Sequence, residues 1–181
     1  MGRRLLILGP PGAGKGTQAA MIAATVGIPH VSTGEMLRDH VARGTDLGAR
    51  AKVIMEAGDL VPDEIVIAMV KERLAAPDAA CGFLLDGFPR TAPQAEALER
   101  ESIPIEAVVN LEVDEDELVT RMLARGRADD TEETVRNRFA VYRRQTEPLI
   151  AHYESRGLIR TVDGMGTIDE VFARICRTLA G

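Results

Sequence analysis

The chain has 181 residues, 45% of them hydrophobic and 28% charged, with a formal net charge of −6. That length fits one domain with a sizeable core, the composition excludes extensive disorder, and the acidic balance excludes a broad polyanion-binding surface of the kind that packages nucleic acid. Cys81 and Cys176 have neither disulfide nor zinc spacing and no apolar run nears the ~20 residues that span a bilayer, so a cytoplasmic protein without membrane or nucleic-acid partners is expected.

Apolar residues 5–8 follow Arg3 and Arg4 and stop at Gly9, Pro10 and Pro11, too soon for a signal peptide; the run reads as a buried strand. Leu6 stands where an N-myristoylation signal needs Ser or Thr, so that signal also fails. Gly9 to Thr17 then match the pattern Gly-x-x-x-x-Gly-Lys at Gly9, Gly14 and Lys15, with Gly16 where Ser or Thr would normally stand. Glycines in such a turn let successive backbone N–H groups converge on one point. The helix predicted over 15–26 brings the positive end of its dipole to the same place. Nucleotide phosphate is the expected occupant, with Lys15 reaching its terminal groups.

A second strand is expected over 28–31. Residues 32–82 are too many for a simple crossover and read as helices over 33–43, 47–57 and 63–74, broken at Gly44 and Gly58. A third strand, 83–85, runs into Asp86, Gly87, Phe88, Pro89 and Arg90. A strand-end carboxylate beside a phosphate loop helps to position Mg²⁺; capping of the next helix is an equal use of an isolated Asp, and the glycine loop turns the reading toward the metal. After a fourth strand over 108–111, Asp114 caps a helix that ends before Gly126, and Arg121 and Arg125 share one face of it. Asp130 and Glu133 then form a capping box for a helix running toward residue 154, with a kink or break expected near Pro148. A fifth strand covers 158–162. Strands alternating with helices define an α/β fold with a five-stranded parallel sheet whose functional loops share one edge. His30, His40 and His152 show no partner pattern and are assigned no role.

Five motifs, in order, resemble the adenylate kinase family: Gly9 to Gln18, Ser32 to Arg38, Gly58 to Val61, Asp86 to Thr91 with Gln94, and Gly126 to Asp130. The resemblance covers nearly the whole chain. It implies a P-loop kinase transferring phosphoryl groups between Mg·ATP and AMP to give ADP, with an AMP-binding insert at 32–61 and a short lid at 125–131. On that resemblance Gly12, Ala13, Gly14, Lys15, Gly16 and Thr17 bind ATP phosphates. Arg121, Arg125 and Gly166 also line ATP. Thr33, Arg38, Asp59, Leu60, Val61, Gly87, Phe88, Pro89, Arg90 and Gln94 bind AMP. Arg127 and Arg138 also contact AMP and close on the transferring phosphoryl group, so the catalytic set is Lys15, Arg90, Arg125, Arg127 and Arg138.

The physical sense of these assignments is that arginine forks match phosphate oxygens and a glutamine amide can pair with an adenine edge. The short lid has no cysteine, so Mg²⁺ held near Asp86 through water is expected and zinc is not. A monomer is expected. A UMP/CMP kinase is the nearest alternative, from which Thr33 and Gln94 turn the reading toward AMP. A nucleotide-dependent switch would leave Arg38, Arg90 and Gln94 without a job.

Overall fold

The computed structural model describes residues 3–124, 126 and 131–180. Strand β1 (Arg4–Leu8) leads into helix α1 (Lys15–Val26), and β2 (His30–Ser32) into three helices, α2 (Thr33–Ala42), α3 (Asp46–Ala57) and α4 (Asp63–Leu74). Then follow β3 (Phe83–Asp86), α5 (Ala92–Arg100), β4 (Ala107–Glu112), α6 (Glu115–Ala124), α7 (Glu132–Val141), α8 (Pro148–Glu154), β5 (Ile159–Asp163) and α9 (Ile168–Ala180). The strands form one parallel sheet in the order β2-β3-β1-β4-β5.

Both faces of this sheet are buried, which explains why its strands read as continuous apolar runs rather than alternating ones. Leu5 and Ile7 point into one core with Ile22 of α1, Met122 of α6, Phe139 of α7 and Ile175 of α9. Leu6 and Leu8 point into the other, with Leu37 of α2, Val70 of α4, Leu98 of α5 and Leu149 of α8. Burying each such side chain contributes about 1.5–3 kcal/mol before conformational entropy is subtracted. The central strand therefore fixes both helical layers at once.

Local chemistry sets the element ends. Gly27 adopts φ 75° and its N–H meets the Ala23 carbonyl, which stops α1 where the sequence predicts. Ser32, Thr45 and Thr91 each accept a backbone N–H three residues on and cap α2, α3 and α5. The capping residue of α7 is Thr131, which accepts from the Thr134 N–H, rather than Asp130; Asp130 lies outside the described residues. The helix also does not simply break at Pro148. Residues Tyr142–Thr146 form a π-helical turn, with Glu147 N–H donating to the Tyr142 carbonyl, and α8 starts on the proline. A proline lacks the donor that an α-turn would need, and a wider turn takes up that loss.

Register places the functional loops side by side. Ile7 lies opposite Asp86 between β1 and β3, and Ser32 lies opposite Asp86 between β2 and β3. The glycine-rich loop after β1, the start of α2 and the Gly87 loop after β3 consequently meet at the carboxyl edge of the sheet. That edge is where open parallel sheets bind ligands.

Candidate active site

A cavity of about 1010 Å³ opens along this edge. It sits at the top of the ~300–1,000 Å³ range of small-molecule sites. Gly12, Ala13, Gly14, Lys15, Gly16 and Thr17 line one end. Gly14 takes up a left-handed conformation at φ 88° as the N-cap, and no side chain caps α1, so the first-turn N–H groups are left for an anion. Lys15 Nζ arches over the loop and donates to the carbonyls of Gly9 and Pro10, each at 2.8 Å. The ammonium is thereby held above the cradle that its own loop forms.

Asp86 sits beside this cradle at 8% exposure. Its Oδ2 is 3.2 Å from His30 Nε2 and 3.6 Å from where a Cβ on Gly16 would lie. Burial drives the carboxyl pKa up. The His30 hydrogen bond and the charges of Lys15, His30 and Arg90 outweigh it and hold Asp86 below the usual carboxylate range. Asp86 is therefore an anion in a basic setting. His30, left without a role by its sequence context, touches it because β2 and β3 are neighbours.

Thr33, Arg38, Asp59, Leu60, Val61, Gly87, Pro89, Arg90 and Gln94 line the other end. Phe88 does not; its side chain is 1% exposed in the core behind, on a cis peptide bond to Pro89. The Thr33 hydroxyl donates to the Gly87 carbonyl at 2.8 Å, and Arg90 Nε donates to the same oxygen at 3.0 Å. Gly87 has φ 78°, and a Cβ there would stand 2.7 Å from Thr33 Oγ1 and 2.8 Å from Arg90 Nη2. Only glycine lets these two groups meet at one carbonyl. Gly87→Ala is expected to lower stability by about 1–3 kcal/mol, measured by urea unfolding.

Positive charge is concentrated here. Burial lowers the pKa of Arg90, Asp86 offsets that, and the nearby charges of Arg138 and Arg38 lower it further. A net lowering means that the fold holds this guanidinium at a cost. A phosphate placed among the three arginines would reverse the balance.

Arg138 of α7, Arg121 of α6 and Gly166 complete the wall. Arg121 donates to Glu117 at 2.7 Å and to the Gly164 carbonyl at 3.1 Å, which ties α6 to the loop after β5. Arg125 and Arg127 lie outside the described residues, as does Asp129. The structure also brings in residues that the motifs do not include. Thr134 Oγ1 donates to the Glu56 carbonyl at 3.0 Å, and Asn137 Nδ2 donates to the Ala57 carbonyl at 2.8 Å and Asp59 Oδ1 at 2.9 Å, so α7 grips the end of α3. Thr146, in the π-helical turn, donates to the Arg90 carbonyl at 2.8 Å. Nothing local marks these polar side chains, because their partners lie 56 to 80 residues away.

A phosphate cradle at the first βα turn, facing an arginine cluster across one cavity, defines a P-loop protein built for phosphoryl chemistry. The adenylate kinase family profile matches residues 7–158. Adenylate kinases of Mycobacteroides abscessus (52% identity, covering 97% of this chain and 98% of the relative), Synechococcus sp. (53%, 99% and 100%) and Thermus thermophilus (53%, 97% and 96%) are among its relatives. The chain belongs to the adenylate kinase family. It is an enzyme, a nucleoside monophosphate kinase that moves phosphoryl groups among ATP, AMP and ADP.

Proposed function

We propose that the glycine-loop end of the cavity takes ATP and the opposite end takes AMP, with the two phosphate chains meeting between Lys15, Arg90 and Arg138. The observation that carries this reading is the convergence of Arg38, Arg90 and Arg138 on a cavity that also holds the P-loop lysine. An oxygen of the AMP phosphate attacks the γ-phosphorus, the bond to the β–γ bridging oxygen breaks, and that oxygen leaves on ADP with its electron pair. No protein base is required, since the attacking oxygen is already ionised. Lys15 holds the β- and γ-phosphates, Arg38 and Arg90 hold the AMP phosphate, and Arg138, with Arg125 and Arg127, stabilises charge spread over the transferring oxygens. Arg121 and Gly166 flank ATP.

Gly16 offers no side-chain oxygen and no group of three or more His, Cys, Asp or Glu able to hold a metal occurs among the described residues. Asp86 alone fits an ion carried mainly by phosphate oxygens and water, where Mg²⁺ neutralises part of the phosphate charge when bound. The segment 32–61 acts as the AMP-binding insert and 125–131 as the short lid, and the bonds from α7 to α3 support closure of the insert onto the lid-bearing helix. The enzyme works as a cytoplasmic monomer; no helix among the described residues is long and apolar enough to cross a membrane.

A coupled assay of ADP formation from ATP with AMP, CMP, UMP or GMP tests the reading. AMP is expected to be used best, with kcat/KM at least about tenfold above the others. Faster use of CMP or UMP would overturn the assignment of the second site.

A further inference from the structure

Gln94 is 2% exposed, yet it forms part of the cavity wall. Its Oε1 accepts the Arg90 backbone N–H at 2.7 Å, and its Nε2 donates to Asp63 Oδ1 at 2.8 Å. The same Asp63 oxygen accepts the Thr91 hydroxyl at 2.8 Å, while Thr91 Oγ1 accepts the Gln94 backbone N–H at 3.4 Å. Asp63 stands behind this group, on the first turn of α4 and outside the cavity wall.

Each bond here runs in one direction only. A backbone N–H can only donate, so the amide must turn its oxygen to Arg90; an ionised carboxylate can only accept, so the amide must turn its nitrogen to Asp63. One oxygen lone pair and one N–H remain for a ligand. We propose that Asp63 is a specificity-determining positioning residue: by fixing the Gln94 amide, it selects a 6-aminopurine monophosphate over a 6-oxopurine one. The proposal rests on the reading above that Gln94 meets the base.

Adenine offers a donor, its exocyclic N–H, next to an acceptor, N1, and the fixed amide supplies the complementary acceptor and donor. A 6-oxopurine reverses both groups. To receive it, Gln94 must turn over, which sets N–H against the Arg90 N–H and carbonyl oxygen against the Asp63 carboxylate. The second clash involves a full negative charge and is the stronger of the two. A buried polar group left unpaired costs as much as a lost specificity contact, so either route penalises the wrong base.

The test compares kcat/KM for AMP and IMP, which differ only in the group on C6 and its tautomer, in the wild type, Asp63→Ala and Asp63→Asn. The AMP-over-IMP ratio is expected to fall about tenfold in Asp63→Ala, and severalfold in Asp63→Asn, whose side-chain amide can itself turn to accommodate either orientation. The KM for ATP stays unchanged. A purely structural role in α4 would lower both substrates together and leave the ratio untouched. An unchanged ratio in the variants that retain a cooperative melting transition overturns the proposal; if Asp63→Ala does not fold, the Asp63→Asn ratio decides. A wild type that does not prefer AMP to IMP would instead overturn the reading of Gln94 as the base-reading group, so the two failures are distinguishable.

Discussion

Lys15→Met lowers kcat for ADP formation by about 10²–10³-fold or more while the protein still unfolds cooperatively. The side chain donates to the Gly9 and Pro10 carbonyls within its own loop, and Gly9 lines the cavity. On the proposed reading, what cannot be replaced is a fixed cation beside the β- and γ-phosphates, since removal of one pre-oriented group that stabilises developing charge costs about that factor. Methionine keeps most of the apolar stem, so the loss is electrostatic rather than steric. Steady-state kinetics together with thermal melting check this, and near-normal kcat in the folded variant would remove Lys15 from the catalytic set.

Arg90→Met is expected to reduce kcat/KM for AMP by a comparable factor, about 10²–10³-fold, but to change the stability of the unliganded protein little. Arg90 is held at three points: Nε to the Gly87 carbonyl, its N–H to Gln94, and its carbonyl to Thr146. Two of these are backbone bonds and survive the substitution. Burial and the charges of Arg138 and Arg38 lower the Arg90 pKa against the attraction of Asp86, so losing this charge offsets part of the lost Nε bond to Gly87. Arg90→Lys restores charge without the planar fork and is expected to recover activity only in part. A clear fall in melting temperature for Arg90→Met would mean that Asp86 dominates and that Arg90 is chiefly structural.

Much of the cavity lining was legible in the chain because each proposed phosphate-binding piece is local. Gly9 to Thr17 contain strand end, turn and helix start in one stretch, and the same holds for Asp86 to Gln94. Ser32 and Thr91, which cap α2 and α5, act over the same short range, although only the structure identified them as caps. Asp130 as a cap was a misreading that Thr131 explains, because either residue type can cap and only backbone geometry selects between them. Pro148 predicted an interruption, but whether a helix breaks or widens depends on what packs around it, and Thr146 reaching Arg90 is part of that packing.

Gly16 illustrates the division most clearly. By itself the sequence determined that this is a phosphate loop lacking the usual hydroxyl, on a parallel α/β scaffold with two arginine-bearing segments. Only the tertiary structure decided that Asp86 fills the space beside Gly16, that His30 pairs with Asp86, and that Asp63 orients Gln94 from the start of a different helix. The reason is physical. Backbone propensity, capping and glycine turns act over a few residues and can be read in order, whereas a side-chain hydrogen bond exists only once sheet register and helix packing have brought two distant donors and acceptors within about 3 Å.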